Sequence, residues 1–340
     1  MNNPEKFNQE GGLSQDQARA FLSGVLSDRV ATPELLEVFG ILDKRMITRQ
    51  ELEGFFEAAS ESMVKVDAGG DALDTAGTGG DGLQTFNIST VAAFICAACG
   101  VRVAKHGNRS ASGTCGSADV LETLGANIEM TPQAAKACLE QTGMTFFFAP
   151  LFHPAFKKAR EARTLFGKRT FFNLLGPMLN PAGAPCQLIG LSDERYAPLM
   201  GGVLQRQGRK RVWIFTGGNT MDEMSPSSET RVTEFSGQGP AEKRFTIDPE
   251  SCGLNVVPLS AIQAKSVEEC VRIFLAVLKN EANEGQTNAA LLNAAAGLTV
   301  FGKARDMKEG IAMAREALES GTAQKKLQEF IKFSNDAKRF

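Results

Sequence analysis

Leu73-Asp74-Thr75-Ala76-Gly77-Thr78-Gly79-Gly80-Asp81-Gly82-Leu83-Gln84-Thr85-Phe86-Asn87-Ile88-Ser89-Thr90 decides the fold. It opens on a short strand candidate, Leu73–Ala76, and places four glycines in the six residues Gly77–Gly82. It then enters a helix candidate over Ser89–Cys99 that stops at Gly100. Strand, glycine loop and helix N-terminus in that order bind phosphate, because glycines let backbone N–H groups approach an anion and the helix end adds positive potential. No Gly-Lys-Ser/Thr follows, so this is not a Walker A loop. The spacing is close to GxGxxG, but Asp81 falls where a pyrophosphate would approach. A carboxylate there repels its ligand unless it faces a metal ion or a ribose hydroxyl. The loop therefore reads as a site for a phosphorylated sugar, against the alternative of a glycine-rich turn that binds nothing.

A second loop of the same character follows. The strand candidate Val101–Ala104 runs into Lys105-His106-Gly107-Asn108-Arg109-Ser110-Ala111-Ser112-Gly113-Thr114-Cys115-Gly116-Ser117. Cations, amides and hydroxyls thus follow the C-terminal end of a strand, where open α/β sheets bind ligands. Gly116-Ser117 begins a helix candidate, Ala118–Leu124, and with it a second possible anion site. A solvated polar loop is the alternative.

Further along, strand-like runs at Thr145–Phe148, Gln187–Leu191 and Arg211–Phe215 alternate with helix-like runs at Pro132–Gln141 and Ser266–Leu278. This alternation predicts an α/β unit with a mostly parallel central sheet, over 70–150 and 187–340. Residues 1–66 read instead as helices, with capping boxes at Ser14/Gln17 and Thr48/Glu51 and a Thr32-Pro33 start. Apolar residues recur there at helical spacing. The expected organisation is a small helical N-terminal domain, with 155–185 packing on it, beside the larger α/β domain.

Composition bounds the rest. A chain of 340 residues suits two packed units. Lys+Arg 37 against Asp+Glu 39 gives a net charge of -2, so no global basic charge drives nucleic-acid binding. No apolar run reaches the ~18–20 residues of a membrane-spanning helix, and the polar N-terminus does not read as a signal peptide. Seven scattered cysteines read as reduced thiols of a cytosolic protein, and the Cys96/Cys99 pair as small core residues in an apolar helix. The two histidines, His106 and His153, both fall inside motifs.

At this point GTGGDGxxTFNIST, VAKHGNRSxSG and GSADVLExLG, with Phe147-Phe148-Ala149-Pro150, His153-Pro154, Arg163, Arg169–Pro177 and Asp222-Glu223, resemble the anthranilate phosphoribosyltransferases over most of residues 70–330. The wider fold family includes the pyrimidine nucleoside phosphorylases, which lack the KHGN and FNLLGP stretches. The resemblance implies transfer of the 5-phosphoribosyl group of phosphoribosyl pyrophosphate (PRPP) to the amine of anthranilate, with release of pyrophosphate, in tryptophan biosynthesis. It implies PRPP contacts at Gly77, Gly80, Asp81, Thr85, Asn87, Ile88, Ser89, Thr90, Lys105, His106, Gly107, Asn108, Arg109, Ser110, Ala111, Ser112, Gly113 and Ser117. It implies anthranilate contacts at Gly77, Asn108, His153, Phe156 and Arg163. Ser89, Asp222 and Glu223 resemble the ligands of magnesium, two ions per subunit. The family's helical domain implies a homodimer, with no membrane or nucleic-acid partner.

The chemistry agrees. Pyrophosphate is a highly charged leaving group that a divalent cation must neutralise. A carboxylate-bearing acceptor needs a cation, and Arg163 can pair with it bidentately; a helix-surface role in the basic run Lys157–Arg163 is the alternative. His153 is expected to wall the acceptor channel, and His106 to hold its loop by hydrogen bonding. No residue is assigned as a general base, because an aryl amine is already neutral and nucleophilic. Phe156 stands where the family often has Tyr, and Met221 where it usually has Leu. The competing readings are a related transferase or phosphorylase with another acceptor, and a non-catalytic relative that binds nucleic acid.

Overall fold

The computed structural model describes residues 4–9, 11–110, 115–237 and 242–336. Helices α1 (Gln15–Leu26), α2 (Thr32–Lys44) and α3 (Arg49–Ser62) open the chain. Both expected capping boxes form: Ser14 and Thr48 accept the N–H of Gln17 and Glu51, whose side chains reach back to the cap backbone. At α2 the boundary differs by one residue. Ala31 is the cap and has no side-chain acceptor, so Glu34 alone binds its N–H at 3.0 Å. Thr32 lies inside the helix and donates to Glu161 at 2.7 Å.

The remainder is strand β1 (Leu73–Gly77), α4 (Ile88–Ala98), β2 (Val103–Gly107), α5 (Ser117–Thr123), α6 (Pro132–Thr142), β3 (Met144–Phe148), α7 (Ala149–Phe152), α8 (Arg160–Phe166), α9 (Phe171–Met178), β4 (Cys186–Gly190), α10 (Ala197–Arg206), β5 (Arg211–Gly217), β6 (Thr230–Ser236), β7 (Lys243–Ile247), α11 (Val267–Leu278), α12 (Glu284–Phe301), α13 (Met307–Glu319) and α14 (Thr322–Asp336). Strand order is β3-β2-β1-β4-β5-β6-β7. The pairs from β3 to β5 are parallel, and β6 and β7 add antiparallel at one edge. The α/β class with a mostly parallel sheet is therefore as expected.

The two antiparallel strands escaped the sequence reading because they carry little apolar signal. β7, Lys-Arg-Phe-Thr-Ile, is mostly exposed, and a charged outer strand of this kind discourages edge-to-edge pairing.

Buried apolar residues form two clusters. One covers a face of the sheet with α4 and α11–α14. Cys96 and Cys99 lie against it, their thiols donating to the carbonyls of Ala294 and Met313. The other joins α1–α3 to α8, α9, α10 and the opposite faces of β4 and β5, through Ile189, Leu191, Val212 and Ile214. An aromatic ladder runs through this second core. Phe55 stacks on Phe171 at 4.3 Å, Phe171 on Phe172 at 4.6 Å, and Phe172 meets Phe156 edge-on at 5.3 Å. Each such pair contributes about 0.5–1.5 kcal/mol beyond its buried area. Through it, the N-terminal helices hold the 156–172 segment in place.

Candidate active site

Four neighbouring parallel strands end in glycine: Gly107 on β2, Gly77 on β1, Gly190 on β4 and Gly217 on β5. A Cβ at Gly77 would lie 2.5 Å from the Asp222 carboxylate, and one at Gly190 would overlap the Asp222 backbone. One at Gly217 would strike the Glu223 carbonyl, and one at Gly107 the Ser117 hydroxyl. The glycines leave the sheet edge open, so the segment after β5 folds back across it. Gly217 and Met221 exchange both backbone hydrogen bonds there, at 2.9 and 3.0 Å. Sequence reasoning placed Gly77 and Gly107 at a ligand; their packing shows that they also seat Asp222 and Ser117.

Asp222 and Glu223 are thereby delivered to the glycine loop. Asp222 Oδ2 accepts the Gly79 N–H at 2.5 Å, and Asp81 Oδ2 faces the Asp222 N–H at 3.4 Å. Glu223 Oε1 accepts the Ser89 N–H at 3.1 Å, in the first turn of α4, where a carboxylate gains from unpaired amides and the helix dipole. Burial, followed by repulsion from Asp81, pushes Asp222 up to about 7. Burial and repulsion from Asp222 push Glu223 up to about 8. The carboxylates oppose one another and Lys105 and Arg169 relieve only part of that repulsion, the electrostatic condition of a cation site.

Lys105 is a correction. It lies in β2 rather than in the following loop, is 2% exposed, and donates to the Thr75 carbonyl at 2.5 Å and to Ser89 Oγ at 3.4 Å. Burial lowers its pKa, opposed by Asp74 and Glu223. Its charge therefore acts from beneath the cleft. Asp74, which sequence reasoning missed, is buried on β1 and accepts the His106 N–H at 3.1 Å. Burial raises its pKa despite Lys105. An aspartate inside a strand candidate was the signal for it.

His106 was expected to hold its loop by hydrogen bonding, and its ring meets the Gly176 backbone. Its backbone is held by Asp74, while its ring lies 4.9 Å from that of His153, which in turn lies 5.3 Å from Phe156. Both rings are buried, His106 Nε2 has no hydrogen-bond partner among the described residues, and the His153 ring faces the Leu179 backbone. Burial, and for His106 also the neighbouring His153, pushes both pKa values down, that of His153 to about 4. The pair is neutral at pH 7 and forms one wall. Phe156 bridges it to Phe172, and the Arg163 guanidinium stands 5.4 Å over the Phe172 ring. Burial lowers the Arg163 pKa, and among the described residues its side chain makes no ion pair. That separates it from the surface cations Lys157, Lys158 and Arg160, which are mostly exposed.

The other expected contacts divide. Asn87 caps α4 and donates to the Cys115 carbonyl at 3.0 Å; Ile88 is fully buried, and Thr85 bridges to Gln263. Thr78, Asn87 and Thr90 each carry a buried side-chain oxygen with no partner among the described residues. The Ser117 hydroxyl donates to the Asn108 carbonyl at 3.3 Å, and the Ser110 N–H goes to Asp119 at 3.0 Å. Arg109 grips Glu122 through two bonds, at 2.9 and 2.6 Å, and covers Phe148 at 4.5 Å. Ala111, Ser112 and Gly113 lie outside the described residues.

Among the described residues no three His, Cys, Asp or Glu side chains form a ready-made metal cage. Asp222 and Glu223, with Ser89 beside them, are instead oxygen donors that could hold a cation while leaving the rest of its shell to other ligands. That matches magnesium, which keeps waters and completes its shell with substrate phosphates.

Asp222 and Glu223 at the glycine loop could hold a cation with a phosphorylated sugar, and Arg163 beside a neutral aromatic wall could take an anionic acceptor, the two partners that glycosyl transfer requires. Residues 69–324 match the sequence model of the glycosyl transferase family, a/b domain. A relative from Syntrophomonas wolfei, an anthranilate phosphoribosyltransferase, is 40% identical over 95% of this chain and 94% of its own. The crystal structure of the Thermus thermophilus enzyme of that name superposes with a TM-score of 0.88 at 35% identity, covering 95% of this chain and 96% of that one. The Saccharomyces cerevisiae enzyme, solved in complex with 4-fluoroanthranilate, superposes with a TM-score of 0.87 at 25% identity, covering 98% and 96%. The chain belongs to the glycosyl transferase family and, within it, to the anthranilate phosphoribosyltransferases.

Proposed function

We propose that this cleft performs the family's reaction: the 5-phosphoribosyl group of PRPP passes to the amine of anthranilate, giving N-(5-phosphoribosyl)anthranilate and pyrophosphate. The observation that carries this reading is the placement of Asp222 and Glu223 on the glycine loop and the α4 N-terminus.

The glycine-loop and α4 amides, with the unpartnered Thr78, Asn87 and Thr90 oxygens, would hold the phosphoribosyl unit. Asp222, Glu223 and Ser89 would hold magnesium, two ions per subunit. When bound, the metal neutralises charge developing on the departing pyrophosphate. Lys105 beneath Ser89 and Glu223 offsets part of the carboxylate charge. Arg163 would pair with the anthranilate carboxylate, and a desolvated guanidinium has most to gain from that partner. His153 and Phe156 would flank the acceptor ring. Because His106 and His153 are neutral, they leave the aryl amine unprotonated and place no positive charge beside the forming glycosyl cation. The C1–N bond forms as the C1–O bond to pyrophosphate breaks, the strongly acidic N-protonated product gives its proton to water or to the departing pyrophosphate, and holding both reactants in register supplies much of the rate.

The 1–66 helical domain with 155–185, its homodimer and a cytosolic location belong to the same proposal. Sedimentation of the purified chain tests the dimer.

Loss of anthranilate fluorescence on mixing with PRPP and magnesium tests the reaction. It is expected to need all three components and to vanish in Asp222→Asn/Glu223→Gln. Arg163→Gln is expected to raise the anthranilate KM by one to two orders of magnitude, the value of about 1.5–3 kcal/mol for a charged hydrogen-bonded pair, with the PRPP KM unchanged. Wild-type protein that consumes PRPP but not anthranilate would move the search to another acceptor.

A further inference from the structure

Arg169 lies between α8 and α9, outside the contacts assigned above; among the described residues it makes no ion pair, although its charge reaches Asp222 and Asp193. One nitrogen donates to the Gly79 carbonyl at 2.7 Å and another to the Ser192 hydroxyl. Arg169 is fixed from the helical side: the next residue, Thr170, is the N-cap of α9 and donates its N–H to the Asn173 side chain at 3.0 Å, and Phe171 and Phe172 enter the aromatic ladder. Its targets are on the sheet side, in the glycine loop after β1 and the turn after β4.

The consequence lies in the peptide unit between Gly79 and Gly80. In a planar trans peptide the C=O and the following N–H point in opposite directions. Drawing the Gly79 carbonyl toward Arg169 turns the Gly80 N–H to the other side of the loop. Gly79 and Gly80 both have φ of +68°, a region that glycine enters freely, so this peptide has little intrinsic preference and its direction needs an external hold. Among the described residues the Gly80 N–H has no partner within the chain. The neighbouring Gly79 N–H is occupied by Asp222.

We propose that Arg169 is a positioning residue that clasps the Gly79 carbonyl so that the Gly80 N–H is presented to a phosphate oxygen of the donor. It thereby ties the acceptor-bearing helical segment to the donor loop. The proposal rests on the PRPP reading above.

The test is the affinity for PRPP in the presence of magnesium, by calorimetry and by steady-state kinetics, in wild type, Arg169→Gln, Arg169→Lys and Ser192→Ala. Arg169→Gln is expected to raise both the Kd and the KM for PRPP about tenfold. The anthranilate KM should stay within twofold of wild type and kcat should fall less than the PRPP KM rises. Arg169→Lys, which keeps the charge and one donor, should recover part of the loss, as should added guanidinium ion with Arg169→Gln. Ser192→Ala, which frees one side of the clasp, should raise the PRPP Kd about twofold to threefold and serves if Arg169→Gln does not fold. Unchanged PRPP affinity in Arg169→Gln, or an equal loss for both substrates without guanidinium rescue, would overturn the clasp. Wild-type protein that fails to bind PRPP would instead overturn the donor reading itself.

Discussion

Replacing Gly190 by alanine isolates the packing on which the acidic site rests. Gly190 ends a central strand, and its added Cβ would overlap the Asp222 backbone, which is not a flexible side-chain tip that could swing aside. The Asp222-Glu223 segment must therefore lift. In doing so it strains the charged hydrogen bonds Gly79 N–H to Asp222 and Ser89 N–H to Glu223, at 2.5 and 3.1 Å. A charged hydrogen bond contributes about 1.5–3 kcal/mol, so losing the alignment of one carboxylate corresponds to about one to two orders of magnitude in rate or metal affinity. Overpacking costs the fold about 1–3 kcal/mol. The assay pairs a magnesium titration of kcat/KM for PRPP with a denaturant melt. Gly40→Ala is the control: Gly40 lies inside α2 with nothing within 4 Å of its added Cβ, and the change there should stabilise by up to about 1 kcal/mol. Gly190→Ala protein with wild-type magnesium dependence would refute the claim that strand-end glycines seat Asp222 and Glu223 for the proposed metal.

Two further outcomes follow from the same geometry. Asp222 and Glu223 sit above the ordinary carboxylate range, at about 7 and about 8, so in the metal-free protein they keep protons that the unfolded chain releases. Their contribution to stability thus falls as pH rises toward 8, whereas a cation binds the deprotonated pair. The magnesium-induced rise in Tm should therefore be larger at pH 8.5 than at pH 6, with proton release visible in buffers of different ionisation enthalpy; a shift independent of pH would contradict it. Phe171→Ala should cost about 3–5 kcal/mol, because Phe171 stacks on both Phe55 and Phe172. It should also raise the anthranilate KM, since Phe172 supports Arg163; normal stability by chemical denaturation would refute the ladder.

The glycine loop, the parallel strands and the capped N-terminal helices were legible because each rests on local chemistry: a periodicity, a capping pair or a glycine run. β6 and β7 were not, because β6 is ordered by pairing with β5 and β7 by pairing with β6 rather than by apolar alternation of their own. Lys105 and His106 were assigned to a loop because charge and polarity at a strand end read as solvent exposure. In the structure Asp74 on the adjacent strand draws both inward, one by charge and one by its backbone N–H. Arg169 stood in a recognised motif without an assignment, because its partner is a backbone carbonyl, which leaves no trace in side-chain identity.

The open sheet edge also sets an order of assembly. Asp222 and Glu223 can settle only over Gly77, Gly190 and Gly217 after β1, β4 and β5 lie side by side, and the β1–β4 pairing joins Leu73 to Cys186 across a long stretch of chain. Such distant pairings form slowly, because loop-closure entropy is lost before the contacts repay it. The acidic pair thus comes together among the last features of the fold. A chain still emerging during synthesis has its glycine loop well before it has the carboxylates, and the two meet only once the sheet is complete.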